Sequence, residues 1–178
     1  FVADLEKWHR YFKLSDVEGF EKRRNGTYSE PAISDLILGM NDAIIAAQNA
    51  VIAAESLGIG SCYIGDIMEN YEVHRELLNL QKYNFPIALL TLGYYKEGIT
   101  RVKRDRFDSK YVVFEEEYKV LSDDEITDLF REREKLFNPN NKYDAENFAQ
   151  MFYGRKNGAD FMKEMNRSIK EMLKNWTY

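Results

Sequence analysis

A single cysteine, Cys62, stands in 178 residues. It excludes a disulfide within the chain and fits a reducing compartment. The only two histidines, His9 and His74, are isolated, with no Cys or carboxylate at metal spacing, so no metal site is expected. No GxSxG elbow and no nucleophile–base pair stands out, so no side chain is expected to act as acid, base or nucleophile. Cys62 itself reads as a buried hydrophobe. Basic residues number 25 against 30 acidic ones, and the net charge of −5 argues against nucleic acid as a bulk electrostatic partner. There is no internal repeat and no low-complexity tract. No signal peptide is visible, and no apolar run reads as long enough to cross a bilayer, so the expected address is the cytoplasm with no membrane partner.

What is present suits one folded domain: 44% of residues are hydrophobic and 31% charged, which excludes a disordered composition. The chain opens without Met on Phe-Val-Ala-Asp-Leu, which reads as a strand already under way. A loose helical face follows at 6–14. A long helix is expected from Ser29 or Pro31 to about Leu57, with Gly58 as its stop, spanning roughly 39 Å at about 1.5 Å per residue. Residues 61–64 read as a short strand or an extended connection. A helix is expected over 70–80 with Val73, Leu77, Leu78 and Leu80 inward. FPIALLTLGY (85–94) reads as one buried strand, and 111–118 as extended. Ser122 and Glu125 form a capping box opening another helix. A turn or linker covers 137–143. The last helix, 158–176, carries Phe161, Met165, Ile169, Met172 and Leu173 on one side. Helices outnumber strands, which makes the fold α+β.

Three features could carry function. In the long helix, Ala43, Ala47, Ala50 and Ala54 make a stripe of small residues against which another helix can pack closely. The other faces carry Ile44, Ile45, Val51 and Ile52. A helix apolar on every side is best explained by a subunit interface, in which Gln48, Asn49 and Glu55 would be buried and need partners. Next, GIGSCYIGD (58–66) brackets an extended segment with glycines. It matches neither the phosphate loop nor the dinucleotide fingerprint, and on spacing alone an ordinary structural role outweighs a ligand wall. Third, Arg101, Lys103, Arg104 and Arg106 are either a solvated basic loop or a phosphate clamp. An enzyme without reactive side chains points to a cofactor that carries the chemistry.

The run LILGMNDAIIAAQNAVIAAESLGIGSCYIGDI resembles the second half of the FMN-dependent nitroreductase family. It is most similar to the large NADPH-dependent type, the oxygen-insensitive nitroreductases and NADPH:flavin oxidoreductases. FVADL with Trp8-His9-Arg10-Tyr11, LLNLQKYNFPIALLTLGY, and Arg104-Asp105-Arg106 with VVFEEEY agree in order, over roughly residues 1–118. The resemblance implies a nitroreductase-like mixed fold, helices around a small central sheet, in an intertwined homodimer. It implies a core at 1–136 and a C-terminal extension at 137–178. FMN would lie at the subunit interface against Tyr63, Ile64, Gly65 and Asp66, with Arg104 and Arg106 near its phosphate. Arg155 and Lys156 are the candidates for the NADPH 2′-phosphate. The implied activity is ping-pong hydride transfer from NADPH through FMN to a small-molecule acceptor: a nitroaromatic, a quinone or free flavin. The alternatives are a non-catalytic flavin-binding dimer, or a dehalogenase-like or flavin-fragmenting member of the same fold. Two departures stand out. The family's Arg-Ser-x-Arg segment has no counterpart here, so about 70 residues are expected to be missing before Phe1, judged against a typical domain. Arg104 also replaces the usual Lys, which keeps the charge and alters the hydrogen-bond geometry.

Overall fold

The structure is a computed structural model that describes residues 1–99 and 105–176. It divides into two compact units, residues 1–97 with 163–178, and residues 98–162. The expected boundary at 136/137 falls inside the second of these.

The first unit is α+β. β1 (Val2–Asp4) leads into α1 (Glu6–Leu14) and α2 (Val17–Arg23), then into the long α3 (Ile33–Ser56). β2 (Gly60–Ile64) follows, then a single helical turn at Gly65–Met68, α4 (Tyr71–Leu77), β3 (Asn84–Pro86) and β4 (Leu89–Gly93). Two antiparallel pairs form: β1 with β3, Ala3 opposite Phe85, and β2 with β4, Cys62 opposite Thr91. The buried strand expected over 85–94 is therefore two strands serving two sheets. Pro86 has no N–H to extend a ladder, and beyond it the Ile87 N–H turns to the Phe1 carbonyl. β4 is also more open than expected, with Leu89 and Leu92 exposed.

α3 starts at neither Ser29 nor Pro31. Ala32 is the N-cap and has no side-chain acceptor, so the Asp35 carboxylate reaches back to its N–H at 2.8 Å. Ser29 Oγ donates instead to the Glu30 carbonyl. The stop is where the sequence puts it: Gly58 has φ +73°, a conformation that a Cβ makes costly. The small-residue stripe faces this chain's own strands, not a helix. Ala47 and Ala54 are buried, α3 packs on β1 and β2, and a Cβ on Gly39 would come within 2.7 Å of Leu5 Cδ2. Ile44, Ile45 and Ile52 are exposed on the other faces, and so are Gln48, Asn49 and Glu55, whose expected burial is against a second copy. By length and composition α3 is also apolar enough to span a membrane, contrary to the reading of the runs above. A core helix of a soluble protein passes the same test.

The core of this unit joins Ala3, Leu36, Tyr71, Tyr83, Phe85, Met172 and Trp176. α4 inverts its expected face. Val73 and Leu77 point outward and Tyr71 is the residue that enters the core, because the pattern of Val73, Leu77, Leu78 and Leu80 marks an apolar side without saying what covers it. α7 (Asp160–Leu173) behaves as its periodicity requires: Met165 and Met172 are buried, and Ile169 and Leu173 pack on the core.

Polar bonds lock α7 in place. Arg167 forks onto Glu72 at 2.9 and 2.8 Å and onto Glu164 at 2.8 and 2.7 Å. Buried Ser168 accepts the Tyr71 N–H at 3.1 Å. The Arg167 hydrogen bonds pull both carboxyls from the ordinary 4.5 down to about 2. A carboxylate whose folded pKa is depressed stabilises fully above its unfolded value and loses that contribution as pH falls through the folded one. The stability gap between wild type and Arg167→Met is thus expected to be constant above about pH 5 and to close toward pH 2. Urea melts followed by the fluorescence of Trp176, which stacks edge-on to Tyr83 at 5.2 Å, measure that gap.

The second unit is built on α5 (Asp123–Glu134) and α6 (Phe148–Arg155). The capping box is present: Glu125 N–H donates to Ser122 Oγ, and Ser122 N–H to the Glu125 carboxylate. Residues 111–118 are not a strand. One short helical turn (Ser109–Tyr111) leads into turns and bends.

Candidate functional site

β2 and the turn after it form a shelf at the C-terminal end of α3. Gly60 lies under the Tyr95 ring, which a Cβ would meet at 2.5 Å, so a side chain there would displace Tyr95. Gly60 thus answers to packing within the chain. Gly65 is different. Its backbone is ordinary, and a Cβ would meet only Met68 Cε, at 4.0 Å. Among the described residues, space stands open beside the backbone at Gly65. Tyr63 is 42% exposed, and its hydroxyl donates to Gln48 Oε1 on α3 at 3.4 Å. The turn at Gly65–Met68 begins immediately beyond β2, and the first N–H groups of a helical turn have no partner within it. Cys62 is exposed, contrary to the buried place expected of it.

The four candidate residues Tyr63, Ile64, Gly65 and Asp66 are consecutive, the first two ending β2 and the last two opening the turn. Arg106, Arg155 and Lys156 belong to the second unit. All three are exposed; Arg155 ends α6 with its guanidinium 5.6 Å from the Phe152 ring, and Lys156 is the C-cap residue. Arg104, with Arg101 and Lys103, lies outside the described residues. Among the described residues no group of His, Cys, Asp and Glu could hold a metal ion.

A second polar feature was not legible in the sequence. His9 is buried, its Nδ1 3.1 Å from the Tyr28 hydroxyl and its Nε2 3.6 Å from the Glu30 carboxylate. The Tyr83 hydroxyl donates a short hydrogen bond to Glu30. That bond holds the Glu30 carboxyl below its usual range, while burial first and then the Glu30 charge push the Tyr83 phenol up. The cluster borders a groove of about 450 Å³ that includes Trp8, Phe12 and Pro31. His9 looked isolated because its partners lie 19, 21 and 74 positions along the chain, where spacing carries no signal.

Comparison with known proteins bears on the shelf. Residues 27–94, which contain α3, β2, the turn and β4 up to Gly93, match the model of the Nitroreductase family. The chain is 40% identical over 88 residues to the oxygen-insensitive NADPH nitroreductase of Salmonella typhimurium, covering 49% of this chain and 36% of the relative. It is 37% identical over 128 residues to a Bacillus subtilis protein named FMN reductase (NAD(P)H), covering 71% and 47%. The solved structure of a putative oxidoreductase from Bacteroides fragilis superimposes with a TM-score of 0.75 at 24% identity, over 98% of this chain and 68% of that one. Residues 27–94 are thus similar to the nitroreductase family, and the fold of the chain is the nitroreductase-like α+β fold expected from the sequence. The chain spans between about a third and a half of the length of these two curated relatives.

Proposed function

We propose that this chain is part of a cytoplasmic, NAD(P)H-dependent flavin oxidoreductase that reduces nitroaromatics, quinones or free flavin. The observation that carries the reading is the open space beside Gly65 in a segment that the family model covers. Among the described residues nothing demands a glycine there, whereas a planar ligand lying on the backbone would.

The residues present fit one wall of an FMN site. Tyr63 offers a half-exposed aromatic face, Gly65 an unobstructed backbone, and the start of the turn offers N–H donors to a ring carbonyl or nitrogen. Arg106, and Arg104 by its place in the sequence, would supply charge for the phosphate. Arg155 and Lys156 are proposed for the 2′-phosphate of NADPH, on the extension 137–178 beyond the core at 1–136. Held against Tyr63 to Asp66, FMN would supply hydride-transfer chemistry, with NADPH and the acceptor using the same site in turn. The protein's part is to place the ring, keep water from it and tune it by hydrogen bonds. No side chain is assigned as acid or nucleophile. The names of the Salmonella and Bacillus relatives support NADPH and FMN as the ligands.

The second wall would come from a second copy. The exposed face of α3, with Ile44, Ile45 and Ile52, is where a homodimer would close.

The test is the visible spectrum of the purified natural protein with added FMN, followed by anaerobic NADPH. A yellow protein that bleaches, then regains colour with a nitroaromatic or quinone, is the expected result. A yellow protein that stays oxidised makes it a non-catalytic flavin binder. A colourless protein that refuses FMN overturns the reading.

A further inference from the structure

Gln48 is one of several exposed polar residues of α3, set among exposed isoleucines. Ile44 and Ile45 lie one turn before it and Ile52 one turn after, all exposed, while its neighbour Ala47 is fully buried against the chain's own strands. At 3.4 Å its Oε1 accepts the hydroxyl of Tyr63, whose ring forms part of the shelf. A solvent-exposed helix position needs no amide, and an apolar seam would exclude one without a partner. The bond joins the two surfaces of the proposed function, the face that a second copy would cover and the wall that a flavin would touch. This inference rests on that reading.

We propose that Gln48 is a positioning residue that sets the Tyr63 ring for the flavin and couples closure of the subunit seam to flavin binding. As the seam closes, water leaves the bond, and a hydrogen bond in a drier setting is stronger. The ring then loses freedom before the ligand arrives, and the cost of ordering it on binding falls. Coupling of this kind is reciprocal: each FMN bound must tighten the dimer by the same factor by which dimerisation tightens that FMN. A 3.4 Å bond is long, so the effect is modest, on the order of tenfold, as for loss of one neutral hydrogen bond.

The experiment is a double-mutant cycle on the natural protein with Gln48→Met and Tyr63→Phe. Met keeps the length and apolar stem of Gln and removes the acceptor. Phe keeps the ring and removes the donor. Both positions are exposed, and circular dichroism verifies that each variant folds. Two quantities are read: the FMN dissociation constant, from quenching of flavin fluorescence, and the dimer dissociation constant with and without FMN, from sedimentation. Each single variant is expected to weaken FMN by roughly tenfold and to reduce the tightening of the dimer by FMN; the double variant is expected to go no further. Additive effects, or single variants that bind FMN and dimerise like wild type, overturn the inference while leaving the flavin reading intact. A wild type that binds no FMN overturns both.

Discussion

Gly65→Val is expected to fold as wild type does and to bind FMN about 10- to 100-fold more weakly, the effect of about 1–3 kcal/mol of overpacking against a ligand. The argument separates folding from binding. The Gly65 backbone is not left-handed, so a side chain is not strained there, and the nearest atom to a Cβ is the mobile end of Met68 at 4.0 Å. Gly65→Ala is a still cleaner case. At a backbone any residue can adopt, removing a glycine is worth about 0.4–1 kcal/mol of stability through the unfolded chain. The apoprotein of Gly65→Ala should therefore melt at or slightly above the wild-type temperature while its flavin affinity falls. Thermal melts without flavin and fluorescence titrations with it measure the two halves. A Gly65→Val protein with unchanged FMN affinity would mean that the shelf is not the wall.

The second large effect concerns the face of α3. Ile45 and Ile52 are each 60% exposed, seven residues apart on one face. In a two-fold dimer each would be buried twice, and each burial stabilises by up to about 1.5–3 kcal/mol. Replacing both by Glu removes that gain and sets charges of one sign across the axis, where burial without a partner costs several kcal/mol more. The monomer has little to lose, because these side chains make no core. The double variant Ile45→Glu/Ile52→Glu is therefore expected to be a folded monomer at concentrations of about 10 μM where the natural protein is expected to be a dimer, since 1.4 kcal/mol is tenfold in affinity. It should also have lost most of its flavin, because half of the site would come from the other copy. Sedimentation gives the mass and the visible spectrum gives the flavin content.

How much of this could be read from residues alone depends on what the partner surface was. The Ser122–Glu125 box, the Gly58 stop and the apolar side of α7 are settled by local chemistry or by contact with elements of this same chain, and all three stand in the structure. The start of α3 was misplaced because Asp35, a residue inside the helix, supplies the cap that Ala32 cannot. The run 85–94 reads as one strand because an apolar string does not reveal that its halves pair with different partners, β1 and β2. Val73, Leu77 and Cys62 were placed inside and lie outside, since an apolar pattern marks a side to be covered and says nothing of the surface that covers it. The small α2, with Val17 and Phe20 as its only large apolar residues, left no periodic trace. At the shelf the motif from α3 to Asp66 was legible through its resemblance to a family. That Gly65, and not Gly60, is the glycine with open space beside it needed coordinates: Tyr95, whose ring fills the space over Gly60, lies 35 positions away.

The most direct trial of the account is a crystal structure of the natural protein grown with FMN. The account predicts two chains with the isoleucine faces of their α3 helices together, and a flavin ring lying on the backbone of Gly65 with the phenol of Tyr63 beside it. A single chain whose α3 face is covered by its own residues, with the flavin elsewhere or not bound, would contradict it.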